Sequence, residues 1–188
     1  MTAQDVFRRV VGALDHAGIP YMLTGSFASS FHGVPRGTQD IDIVISPAPD
    51  QLHVLVRLLP DSEYCVDEEA ALDALRRQSQ FNVIDLATGW KIDLIIRKSR
   101  PFSREEFDRR LFVDFEGMCL AVATAEDVLI AKLEWARLSQ SQRQIDDAAG
   151  ILRIRGSELD REYIHKWVRE LNLQEQWEAA CRAAGVAA

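Results

Sequence analysis

Residues 40 to 45 read Asp-Ile-Asp-Ile-Val-Ile, and no other stretch limits the fold of this chain as tightly. Side chains two apart on a strand point to the same side, so Ile41, Ile43 and Ile45 make one apolar face while Asp40 and Asp42 share the opposite one. Two further β-rich runs, 80–86 and 90–96, are separated by Ala87, Thr88 and Gly89, which predicts a hairpin. In the second run Ile92, Leu94 and Ile96 take one face and leave Asp93 on the other, the arrangement already seen at Asp42.

Around these runs the pattern alternates between helix and strand. Val6, Phe7, Val10, Val11 and Leu14 recur at helical spacing ahead of Gly18 and Pro20, which predicts a helix over 3–17. A strand is expected at 21–24, helices at 48–59 and 67–78, and a short strand at 64–66. Ser103 with Glu106 and Thr124 with Asp127 have capping-box spacing, placing helix starts near 104 and 125. Between them 111–115 and 118–123 flank Glu116 and Gly117 as a second hairpin. From 124 onward the pattern is helical, with breaks near 139–141, Gly156 and Asn172.

Composition removes several classes of function. The 188 residues hold 22 Lys plus Arg against 29 Asp plus Glu, a formal net charge of −7, which argues against a broad nucleic-acid coat. A local groove is still allowed: Arg97, Lys98, Arg100, Arg104, Arg109 and Arg110 outnumber the acids in their segment, although a solvated helix face explains the same run. No apolar stretch approaches the roughly 18 residues of a membrane span, so an exported or membrane-bound chain is not expected. Cys65, Cys119 and Cys181 are odd in number and form no CxxC pair, which argues against a disulfide framework or a Cys-rich zinc site and suggests core thiols of a cytoplasmic protein. His16, His32, His53 and His165 lack ligand spacing, and Trp135, Trp167 and Trp177 sit in helical patterns where core packing is expected.

The chemistry concentrates on the acids. Asp-Ile-Asp alone occurs on many exposed strands, and Asp85 competes with Asp93 for the third position. If Asp93 lies beside Asp40 and Asp42, each pair of carboxylates repels by about 4 kcal/mol at 4 Å and an effective dielectric near 20, which calls for a cation. Hard oxygen ligands suit Mg2+ or Mn2+, whose open positions substrate phosphates fill. Upstream, the run from Tyr21 to Thr24 passes into Gly25-Ser26 and then into a short helical stretch. Strand, tight turn and helix start make an anion cradle from backbone N–H groups and the Ser26 hydroxyl, and an ordinary N-cap uses the same residues.

Gly25-Ser26, thirteen intervening residues, Asp40-Ile41-Asp42 and the distant Asp93 together resemble the nucleotidyltransferase superfamily of DNA polymerase β, kanamycin nucleotidyltransferase and the minimal nucleotidyltransferases. Arg36, Thr38, Asp40, Ile41 and Asp42 in their spacing, and the run from Thr124 to Leu133, are similar to the AbiEii group of toxin-type nucleotidyltransferases. The resemblance implies an α/β fold of the α+β kind. Residues 1–123 would form a core of small mixed sheet and packed helices, and 124–188 a C-terminal helical segment closing one side of the cleft. It implies transfer of an NMP from an NTP to an acceptor hydroxyl, with Asp40, Asp42 and Asp93 catalytic and holding Mg2+ or Mn2+. Gly25, Ser26, Arg36, Thr38 and Lys132 would bind the nucleotide, opposite the acids.

Lys132 shares a helical stripe with Val128, Leu129 and Ala136, where snorkelling to water is the ordinary outcome; the resemblance sends it to the triphosphate instead. The planar fork of Arg36 suits phosphate, and a surface loop arginine is the competing reading. Arg143, Asp146 and Asp147 resemble a segment of the group, but Gln144-Ile145 departs from it, leaving a helix-surface charge pair as the expectation. The implied acceptor is an RNA end or a protein, with an antitoxin partner. A small-molecule, antibiotic-type adenylyltransferase and a catalytically silent nucleotide-binding or antitoxin-like protein are the alternatives.

Overall fold

A computed structural model describes residues 3–38, 40–115 and 117–187. In chain order its elements are α1 Ala3–His16, β1 Tyr21–Leu23, α2 Gly25–His32, β2 Asp40–Ile45, α3 Pro49–Arg57, β3 Tyr64–Cys65, α4 Glu68–Arg77, β4 Gln80–Asp85 and β5 Lys91–Ile96. They continue with α5 Pro101–Asp108, β6 Leu111–Phe115, β7 Met118–Val122, α6 Ala125–Ser139, α7 Gln142–Arg155, α8 Arg161–Glu170 and α9 Gln174–Ala184. The chain forms two compact units, Met1–Leu23 with Thr38–Val122, and Thr24–Gly37 with Ala123–Ala188. Residues 24–37, expected with the core by their sequence position, therefore group with the C-terminal helices.

The first unit carries a seven-stranded mixed sheet in the order β3-β4-β5-β2-β1-β7-β6. At its centre β2 and β5 run parallel, with Asp40 opposite Lys91 and Asp42 opposite Asp93. Ile41, Ile43, Ile45, Ile92, Leu94 and Ile96 are each no more than 3% exposed, so the apolar face read from the alternation is the core face. Each such side chain contributes about 1.5–3 kcal/mol by leaving water. The buried stripe of α1 is Val6, Phe7, Val10, Val11 and Leu14, and Gly18 turns the chain at a φ of +64°.

Asp85, the competing acid, is 1% exposed and accepts from the N–H groups of Ala87 and Thr88, the Thr88 hydroxyl and Arg9. It locks the β4–β5 turn. Helix α5 starts at Pro101, ahead of the expected 104. Pro at N1 has no N–H to leave unsatisfied, and Ser103 is a buried interior residue that accepts from Arg100 Nε at 2.9 Å rather than capping. The β6–β7 hairpin is present, with Gly117 at a φ of +77°; Glu116 of the expected turn lies outside the described residues.

The second unit is helical. Thr124 caps α6 as its spacing predicts, accepting from Asp127 N. Asp127, fully buried, accepts from the Thr124 hydroxyl at 2.7 Å and the Tyr163 hydroxyl at 2.6 Å, which ties α8 to α6. The end of α2 meets α7 backbone to backbone: a Cβ on Gly33 would lie 2.9 Å from Ile151 N. Trp167 and Trp177 are buried, but Trp135 is 52% exposed, contrary to expectation. The buried stripe of α6 runs through Leu133 and Ala136, and Trp135 points about 200° away from Leu133. Cys181 is the core thiol expected; Cys65, on a two-residue edge strand, and Cys119 are exposed, so those two expectations fail. Among the described residues no helix is long and apolar enough to cross a membrane.

Candidate active site

Asp40, Asp42, Asp93 and Thr38 belong to the first unit. Parallel pairing of β2 with β5 sets Asp42 and Asp93 side by side on the face opposite the isoleucines, with Asp40 next along beside Lys91. Thr38 Oγ1 donates to the Asp40 carbonyl and accepts from the Asp40 N–H, both at 3.2 Å, so it braces the backbone of the first acid. Asp40 is exposed, Asp42 half-buried and Asp93 buried.

The Lys91 ammonium lies 2.9 Å from Asp93 Oδ2, while Asp93 Oδ1 is buried without a hydrogen-bond partner. The hydrogen bond to Asp93 raises the Lys91 pKa, burial opposes it, and the fields of Asp93, Asp40 and Asp42 add to the rise. All three acids therefore act on one ammonium. Among the described residues no three His, Cys, Asp or Glu side chains are gathered closely enough to hold a metal ion as they stand. The donor chemistry nonetheless fits one: these are hard carboxylate oxygens, and Asp93 carries an orphaned buried oxygen. Nothing in the sequence pattern marked Lys91, because its position opposite Asp40 depends on strand register.

Gly25, Ser26, Arg36 and Lys132 belong to the second unit. Gly25 opens α2 at a φ of +60°, a conformation glycine adopts without strain. Thr24, not Ser26, stands at the N-cap, and the Ser26 hydroxyl accepts from Arg36 Nη2. Arg36 grips Asp147 with both arms of its fork, Nε to Oδ1 at 3.0 Å and Nη2 to Oδ2 at 3.1 Å. Lys132 donates to the same Oδ2 at 2.8 Å.

The Lys132 and Asp147 side chains are 5% and 8% exposed, so Lys132 does not snorkel and Asp147 is no helix-surface pair. Burial pushes the Asp147 carboxyl up, but the Arg36 and Lys132 donors outweigh it and hold its pKa below the ordinary value. Two cations share one carboxylate beside the start of α2. Asp147 is the site residue that spacing missed; its partial likeness to the related segment was the only signal.

Three arginines of the basic segment, Arg97, Arg104 and Arg110, line a cleft of about 500 Å³ within the first unit, together with Ser46, Phe107 and Asp108. Arg97 and Arg110 stack on Phe107, at 5.6 and 4.3 Å from its centroid. His32 is structural: its Nε2 lies 2.7 Å from the Ala123 carbonyl, and burial lowers its pKa.

No protein-family model and no curated protein matches the sequence. Solved structures do match. The antibiotic-resistance factor ANT(2'')-Ia has a TM-score of 0.59 at 12% identity, over 93% of this chain and 95% of that one. An antigenic nucleotidyltransferase-like protein from Paracoccidioides brasiliensis has a TM-score of 0.56 at 16% identity, over 97% and 94%. The lincosamide antibiotic adenylyltransferase LnuA, lincomycin-bound, has a TM-score of 0.51 at 13% identity, over 80% and 98%. What such identities establish is architecture, and the architecture of this chain is the nucleotidyltransferase fold.

Proposed function

We propose that this chain is a cytoplasmic, metal-dependent nucleotidyltransferase that moves an NMP from an NTP to an acceptor hydroxyl. The observation that supports this best is Asp42 paired with Asp93 across the central parallel strands of a nucleotidyltransferase fold. Asp40, Asp42 and Asp93 would hold Mg2+ or Mn2+, which supplies Lewis-acid stabilisation of the phosphate oxygens when bound. Asp93, with one carboxylate oxygen unpartnered, accepts the proton of the acceptor hydroxyl. The hydroxyl oxygen then bonds to the α-phosphorus as the bond from that phosphorus to the bridging oxygen breaks, and pyrophosphate leaves. Within the second unit, the first-turn N–H groups after Gly25, the Ser26 hydroxyl, Arg36 and Lys132 would form a cradle for phosphate oxygens.

Incubation with each labelled NTP and Mg2+ tests the reading. Asp42→Asn should retain the wild-type melting curve and lose transfer; undiminished transfer by that variant ends the assignment.

An RNA end or a protein, within a toxin–antitoxin pair, is the acceptor class we favour, and the arginine cleft supports the RNA. A second reading, transfer to a small antibiotic-like hydroxyl compound, is supported by two of the similar structures, ANT(2'')-Ia in complex with adenylyl-2''-tobramycin and lincomycin-bound LnuA. Separate pools of RNA, cell protein and aminoglycosides distinguish them by where the label appears. A silent nucleotide-binding role predicts label in none, and the presence of all three acids speaks against it.

A further inference from the structure

Residues 40 and 42 of β2 and residues 91 and 93 of β5 occupy four corners of a square on one sheet face, since Asp40 pairs with Lys91 and Asp42 with Asp93. Neighbouring strands lie about 4.8 Å apart, so the square holds three carboxylates and one ammonium within reach of one another. Lys91 meets Asp93 Oδ2 at 2.9 Å. We propose that Lys91 is a built-in counter-cation of the acidic square, which holds Asp93 in the metal-free protein and must release it when a divalent cation loads. This rests on the reading of the acids as metal ligands.

Two features make the ammonium a displaceable competitor rather than a fixed support. It occupies one oxygen of the carboxylate whose other oxygen is orphaned, so a cation reaching Asp93 meets a like charge at hydrogen-bond distance. Its side chain is 42% exposed against 10% for that of Asp93, so the flexible four-carbon stem has a path to water along which to withdraw. Lys132, paired to Asp147 at 5% exposure, has no such path. Metal affinity is then set by a competition inside the sheet, and the metal-free protein avoids the repulsion of three adjacent acids.

The test is Mn2+ binding by the full chain, read from the electron paramagnetic resonance of the free ion, with thermal melts in parallel. Lys91→Met and Lys91→Gln should each melt lower than wild type without metal and bind Mn2+ about two- to fivefold more tightly, the scale of a partly exposed ion pair. Lys91→Arg, which keeps a cation in place, should bind Mn2+ as wild type does. Binding by both neutral variants that is no tighter than wild type overturns the competition and leaves the metal site standing. Absence of Mn2+ uptake by wild type and every variant removes the metal reading itself, and this inference with it.

Discussion

Asp85 and Asp93 stand on adjacent antiparallel strands at 1% and 7% exposure, and their surroundings differ. Asp85 is saturated by two backbone N–H groups, a hydroxyl and Arg9; Asp93 has one cation and one orphaned oxygen. Asp85→Ala should lower stability by about 3 kcal/mol, because it strands buried donors, measured by denaturant melts. Asp93→Asn should leave the melt near wild type and abolish transfer. Asp147 is a third case. Its folded pKa is depressed, so its contribution is complete above the unfolded value near 3.9 and disappears as pH falls through the lower folded value. Asp147→Asn should therefore cost about 3 kcal/mol at pH 7, where it removes the buried carboxylate that Arg36 and Lys132 share, and flatten the acid limb of a stability-against-pH curve.

Elements are set by local rules, and their junctions by contact. The start of α6 follows from Thr124 and Asp127, a cap whose geometry is complete within four residues. The start of α5 shows the limit of such a rule: Ser103 and Glu106 have the same spacing, yet Pro101 fixes an earlier first turn and both residues are buried mid-helix. At the other end of α2, Gly33 lets two backbones touch. A methyl group there has no flexible neighbour to displace, so Gly33→Ala should destabilise by about 2 kcal/mol, the range of overpacked sites, and chemical denaturation can read it. Gly37, with nothing within 4 Å of its position, should accept alanine with no such clash, which makes it the control.

At the scale of the whole molecule, ligands should report the proposed reaction before any acceptor is known. An NTP with Mg2+ at 100 times its Kd should add about 2.7 kcal/mol to stability, and either one alone should add less, a comparison thermal melting makes directly. Should RNA be the acceptor, Arg104→Glu should lower the slope of log affinity against log salt by about 1, since one phosphate contact is lost. The chain's own pattern determined β2 to the residue, both hairpins, the capped start of α6 and the breaks between the last helices, because period, cap and turn depend on neighbours within a few positions. It also pointed to the acids by strand alternation and to Gly25 by the turn ahead of a helix, and a resemblance joined them. Tertiary structure alone decided that Asp42 faces Asp93, that Lys91 stands beside them, that Arg36 reaches Asp147 across 111 positions, and that residues 24–37 group with the helices. Strand register and long-range ion pairs are settled by burial and loop closure summed over the chain, a balance that no short window of sequence contains.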